Sequence, residues 1–141
     1  MFLQLITGSL VVSLTVAIVA AFIGGAIRIL TLVGPWLVTP PHAHKTISAL
    51  IGVTLWLLAG LSIGVWIWAA VLVGVGAFEA LEPALYFSVV AFSTLGFGDI
   101  TLPVEWRLLS GICAANGLLL FGLSTAFLVE FLSRLRQAQA A

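Results

Sequence analysis

Apolar residues in this chain do not follow the period of an amphipathic helix or the alternation of a half-buried strand. They come in long unbroken runs. A helix rises about 1.5 Å per residue, so about 20 residues are needed to cross the hydrocarbon of a bilayer. Runs over residues 2–27, 46–78 and 106–132 meet that length and predict three transmembrane helices. A fourth apolar stretch, over 84–92, is too short to cross and predicts a re-entrant or buried helix. Barrel strands alternate between lipid-facing and lumen-facing residues, so these continuous runs argue against a transmembrane barrel. The run over 2–27 lacks the charged leader of a signal peptide and exceeds its usual apolar length, so it reads as a span.

Composition sharpens this picture. Hydrophobic residues make up 62% of the chain and charged residues 7%, with five Lys/Arg balancing five Asp/Glu. So few charges cannot solvate a globular surface, which excludes a soluble enzyme. A neutral chain without clustered cations is no nucleic-acid binder. The lone Cys113 excludes an internal disulfide framework and a cysteine-rich metal site. The expected protein is integral to a membrane, the bacterial inner membrane, and has no enzymatic chemistry.

The charges also predict orientation. Arg28 and Lys45 flank the first loop, expected over 28–45, and Arg134 and Arg136 follow the third run. The stretch between the second and third runs carries Glu79, Glu82, Asp99 and Glu105 against Arg107 alone. By the positive-inside rule the first loop and the C-terminus are cytoplasmic, and the N-terminus and the acidic stretch face outside. Trp66, Trp68 and Trp106 are placed as interfacial anchors, whereas Trp56 does not fit that belt. Pro35, Pro40 and Pro41 mark the first loop as irregular, with a new helix beginning near Thr46. His42 and His44 are read as part of a solvated turn, with metal or pH sensing as the alternative. The tail over 133–141 is short and polar, so no attached ligand-sensing domain is expected.

The informative segment is 79–99. Pro83 suits the first position of a helix, and Glu79 and Glu82 suit its positive end. That helix should end near Ser93, with its carbonyl end favouring a cation. In Thr94-Leu95-Gly96-Phe97-Gly98, glycines alternate with larger residues and permit backbone conformations that no helix or strand offers. Irregular backbone at membrane depth is tolerated where it lines a wet cavity or is buried in protein. Carbonyls converging on an axis can replace the water around an ion, and one loop per chain implies several chains in a ring.

Thr94-Leu95-Gly96-Phe97-Gly98-Asp99 resembles the T-x-G-[Y/F]-G-D selectivity-filter signature of the potassium channels, and the order of elements around it resembles their pore domain. The resemblance covers 46–132: outer helix 46–78, pore helix 83–93, filter 94–99 and inner helix 106–132. Residues 1–45 form an additional N-terminal span and loop. The resemblance implies a homotetramer around one pore that conducts potassium passively, with the permeant ion and no other cofactor. It implies ion sites at the carbonyls of Thr94, Leu95, Gly96 and Phe97, with the Thr94 hydroxyl contributing. Gly98, Asp99, Tyr86 and Ser93 would support the filter. Phe97 replaces a commoner Tyr, and Val90 stands where some bacterial members place a Glu that pairs with the filter Asp. Tyr86 stands where many have Trp, which makes its hydroxyl the candidate partner of Asp99. These departures imply a less tightly braced filter.

In the inner helix, Leu118, Phe121, Thr125 and Val129 share a three-to-four spacing and so one face. The resemblance makes that face the cavity lining and an apolar gate that closes by dewetting; ordinary helix packing is the alternative for each residue. Gly117, at the family's hinge position, is either a bend or a close-packing site. Asn116 is expected to touch the cavity or to hydrogen-bond the pore helix. Cys113 is expected to pack as a small apolar residue, and Glu130 to pair with Arg134. Glu79, Glu82 and Glu105 form either a ring of charge at the mouth or local helix-end and Arg107 contacts. Gly60 and Gly64 match a small-residue packing pattern. The first span is read as peripheral. Two other functions stay open: a weakly selective monovalent cation channel, and a non-conducting structural or regulatory membrane subunit.

Overall fold

A computed structural model describes residues 2–140. Four α-helices follow one another: α1 (Phe2–Val38), α2 (His42–Gly74), α3 (Leu81–Phe92) and α4 (Arg107–Ala140), the last preceded by a 3-10 turn at Val104–Trp106. Among the described residues there is no strand paired into a sheet, and the segment after α3, residues 94–98, is a single unpaired strand in the looser sense of a non-helical run. Three of the helical segments are long and apolar enough to cross a membrane, and α3 is not.

The first loop is much shorter than the prolines suggest. α1 continues through Pro35 as far as Val38, because the residues after Arg28 stay apolar and a proline inside a helix need remove only one backbone bond. The break falls at 39–41, where Pro40 and Pro41 stand together. α2 accordingly starts at His42, with Pro41 as its N-cap. Lys45 reaches back across this turn and donates to the Trp36 and Thr39 carbonyls, both at 2.9 Å, and to the Thr39 hydroxyl at 2.6 Å. Its ammonium group also lies 4.8 Å from the Trp36 ring centre. A cation thus satisfies the last carbonyls of α1, where the helix dipole favours one. His42 and His44 lie in the first turn of α2 instead of a solvated turn, with His42 Nε2 2.9 Å from the Val38 carbonyl. No cluster of three or more potential metal ligands forms among the described residues.

α1 packs against α2 and α4, and α3 is wedged between α2 and α4 at one end of the bundle. The main core gathers Trp68, Leu72, Ala84, Phe92, Leu109 and Leu120. Trp68 is 0% exposed, so it is a core residue and not an interfacial anchor; Trp66, two positions earlier, is exposed. Alternate faces of α2 explain the difference, since two residues turn a helix by about 200°. Trp56 belongs to the α1–α2 seam: its indole N–H donates to the Phe22 carbonyl at 2.8 Å and its ring packs tilted against the Phe22 ring, 4.9 Å between centres. Gly60 makes that seam possible, because a Cβ there would lie 2.8 Å from the Phe22 ring.

The first helix packs along both other long helices. Polar groups fasten it to the rest of the bundle at three depths. At the end carrying α3, the Gln4 amide donates to the Glu105 carbonyl and accepts from the Leu108 N–H at 3.1 Å. At mid-length, Asn116 Nδ2 donates to Thr15 Oγ1 at 2.8 Å. At the far end, Gln139 Nε2 donates to the Leu37 carbonyl and to Thr46 Oγ1. Asn116 therefore bonds to α1, and neither to α3 nor to a cavity. Glu105 makes no ion pair with Arg107; among the described residues the pair present is Arg134–Glu130, at 2.5 Å.

Gln4 acts as a helix cap supplied from another helix, because the Leu108 amide belongs to the first turn of α4, where no intrahelical carbonyl is available. Gln4→Leu removes both bonds and leaves two backbone groups unmet. A cost of about 1–3 kcal/mol is expected, read as a lower thermal midpoint in detergent; an unchanged midpoint would show that the cap carries no load.

Candidate functional site

The site is built on α3. Its first turn has Leu81, Glu82 and Pro83, so Pro83 is the third helical residue and not the first. The position is tolerated because first-turn residues have no intrahelical partner for their N–H groups. Ala84, Phe87, Ser88, Val90, Ala91 and Phe92 are buried between α2 and α4, which holds the short helix rigidly although it is only 12 residues long.

Its end is defined by backbone chemistry. Ser93 caps the helix, and its hydroxyl donates to the Val89 carbonyl at 2.7 Å. Thr94 then adopts φ +61°, the Thr94 N–H bonds to the Ala91 carbonyl and the Leu95 N–H to the Val90 carbonyl. This is a Schellman ending, which normally uses glycine at the left-handed position. A β-branched threonine there is strained, and such strain gathers at functional sites. Gly96 and Gly98 follow at φ +57° and +76°. Every second residue from 94 to 98 is thus left-handed, with Leu95 and Phe97 between them at ordinary φ. Alternation of hand brings successive N–H groups to one edge of a strand, and with them the carbonyls to the other.

Tyr86 and Asp99 tie this strand back to α3. The Tyr86 hydroxyl donates to Asp99 Oδ2 at 2.7 Å. That bond holds the Asp99 carboxyl below its usual value, against a smaller desolvation in the opposite sense, and it raises the Tyr86 hydroxyl in turn. Behind the strand lies a cavity of about 480 Å3, bordered by Val90, Thr94, Asp99, Arg107 and Ser110. Val90 presents only methyl groups there, so Tyr86 is the side chain that reaches Asp99.

A group with a lowered native pKa stabilises the structure above its ordinary pKa and loses that contribution as pH falls through the lowered value. The Tyr86–Asp99 tie is therefore complete at neutral pH and lost only below the ordinary carboxylate value of 3.8. In Tyr86→Phe, Asp99 is expected to titrate closer to that ordinary value, so the acid transition shifts upward. Carboxyl NMR of the labelled protein checks this, and an unshifted Asp99 titration would remove Tyr86 as its partner.

Leu95 and Phe97 are 59% and 65% exposed on the single chain. Leu118, Phe121, Thr125 and Val129 are exposed on α4 as well, with the Phe121 ring set edge-on to Phe92 at 5.9 Å. Gly117 differs from them. It is buried against the end of α3, where a Cβ would overlap the Phe92 carbonyl group and stand 2.9 Å from the Phe92 Cα. α4 runs through this point unbroken, so Gly117 serves close packing here and not a bend. Cys113 is fully buried in the core with no disulfide partner. Glu79, Glu82 and Glu105 form no ion pair among the described residues. Sequence reasoning missed Gln4 and Thr15. Their signal was available, since a polar side chain inside an apolar run generally faces protein.

Two membrane-length helices, α2 and α4, hold the short α3 between them, a third, α1, packs against both, and a segment of alternating hand follows α3. A family model described as ion channel matches residues 51–134, and the chain belongs to that family, the two-helix potassium-channel pore family. The match takes in most of α2, all of α3 and the strand after it, and α4 as far as Arg134, while α1 lies outside it. No curated protein and no solved structure matches the chain. The protein is an integral membrane protein of the ion-channel class.

Proposed function

We propose that four copies of this chain surround one pore and conduct potassium passively and selectively, with the 94–98 strands as the filter. The observation that carries this reading is the left-handed backbone at Thr94, Gly96 and Gly98, which allows carbonyls of Thr94, Leu95, Gly96 and Phe97 to face a common axis and replace water around a dehydrated ion. The carbonyl end of α3 adds a negative potential at the base of the strand. α3 is then a re-entrant pore helix and Asp99 lies at the outer mouth. Arg134 and Arg136 are on the cytoplasmic side, following the positive-inside rule. The exposed row Leu118, Phe121, Thr125 and Val129 lines the inner vestibule, where an apolar ring closes by dewetting. Potassium is cargo, and the reading needs no resident cofactor.

A second reading, a weakly selective cation channel, draws on one feature: Asp99 has a single side-chain tie, to Tyr86, and Phe97 has no hydroxyl to add another. Both readings need four chains. Native mass measurement in detergent is expected to give four copies, and vesicles containing that assembly are expected to dissipate a potassium gradient. A monomer without flux would exclude both.

A further inference from the structure

We propose that α1 is a positioning brace for the pore, holding the middle of α4 against the base of the 94–98 strand through the hydrogen bond between Thr15 and Asn116. The inference rests on the reading of α3, the strand and α4 as a pore, and it concerns a helix outside the channel-family match.

Thr15 is 0% exposed and Asn116 1% exposed, and Asn116 Nδ2 donates to Thr15 Oγ1 at 2.8 Å. The Thr15 hydroxyl proton is engaged elsewhere, with the Val12 carbonyl at 3.0 Å, so its oxygen is left to accept. That fixes which amide atom of Asn116 faces α1. One residue after Asn116 comes Gly117, whose Cα lies against the Phe92 carbonyl. Phe92 is separated from Thr94, the first strained residue of the strand, by Ser93 alone.

Packing makes the linkage stiff. A Cβ on Gly8 of α1 would lie 2.7 Å from the Ile112 side chain of α4, and one on Gly64 of α2 would touch both Phe92 and Thr15. Threonine 15 therefore sits where α1, α2 and α4 meet the end of the pore helix. Any motion of α4 away from α3 must break a buried hydrogen bond or drag α1 with it. Breaking a buried bond leaves its groups without water to replace the partner, so a displacement of α4 carries the full cost of that loss.

The hydrogen bond predicts unequal effects of removing its two partners. Thr15→Val strands the Asn116 amide in the core. Asn116→Leu costs less, because the Thr15 hydroxyl keeps its bond to the Val12 carbonyl. The double variant should resemble Asn116→Leu, and Thr15→Ser, which retains the hydroxyl, should resemble wild type.

The test uses the full chain assembled in lipid nanodiscs, with amide hydrogen exchange over 92–98 and 111–124 and potassium flux measured on the same preparations. Thr15→Val is expected to speed exchange over 92–98 by about tenfold and to change the flux rate in the same assembly. Should Thr15→Val fail to assemble, Asn116→Leu against wild type gives the same comparison at smaller amplitude. An exchange increase confined to α1, or effects of the two substitutions that simply add, would overturn the brace. An assembly that passes no potassium removes the conduction reading, while the exchange pattern still decides the role of α1.

Discussion

Gly117→Ala is expected to abolish conduction and to destabilise the assembly. The added methyl has no free direction: it meets the Phe92 carbonyl carbon at 2.6 Å and the Phe92 Cα at 2.9 Å, both backbone atoms in the last turn of α3. A flexible side chain could swing aside, but a helix end that launches the strand cannot. α4 must move away from α3, or the carbonyl must rotate and carry Ser93 and Thr94 with it. Overpacking of this kind typically costs about 1–3 kcal/mol, and against unyielding backbone atoms the upper part of that range applies, more than the roughly 1 kcal/mol that alanine gains over glycine within a helix. Gly52→Ala in α2 is the control, because a methyl there meets nothing within 4 Å. It should hold or raise the thermal midpoint and leave flux intact. If the two variants behaved alike, the contact between Gly117 and Phe92 would not be holding α4 in place.

Gly96→Ala should leave the assembly folded and destroy its discrimination between ions. Here the space is open, since a methyl on Gly96 meets no neighbour within 4 Å in the chain. The obstacle is φ +57°, where an L-residue with a Cβ costs about 1–2 kcal/mol, repeated in every copy of the proposed tetramer. Relief comes from returning residue 96 to ordinary φ, which turns its neighbouring carbonyls off the axis. The substitution therefore acts on the backbone that would hold the ion and not on a side chain. Gly24→Ala in α1, equally free of neighbours and without positive φ, serves as comparison. Thermal midpoint and oligomer mass should stay near wild type in both variants, with potassium preference lost only in Gly96→Ala. Retained preference would mean that the left-handed turn at residue 96 is not what positions the carbonyls.

What could be read from the sequence follows the same physics. The three spans are legible because a bilayer demands length and continuous apolarity, and both are visible residue by residue. Their ends are less so. Residues 29–38 carry no charge and continue the helix past a proline that reads as a loop, while Lys45 completes the turn through carbonyls nine and six residues earlier. The pairing of Tyr86 with Asp99 spans 13 residues and follows from a family pattern in which a bulky donor on α3 faces the strand. Partnerships of more than a hundred residues, such as Thr15 with Asn116, are set by how helices dock, and no local spacing encodes that. Gly117 illustrates the difference: a glycine inside a helix signals either a bend or a close contact, and only the position of the Phe92 carbonyl decides between them. Trp68 does the same for aromatic residues, which suit an interface or a core equally until the facing helix is known.

If the 94–98 strands form a potassium-selective ring, as proposed, the reversal potential will report it. The purified assembly, reconstituted into a planar bilayer with potassium on one side and an equal concentration of sodium on the other, should reverse far from zero, with the potassium side setting the potential. Reversal near zero would contradict selective conduction through Thr94 to Gly98 and leave a weakly selective cation pore.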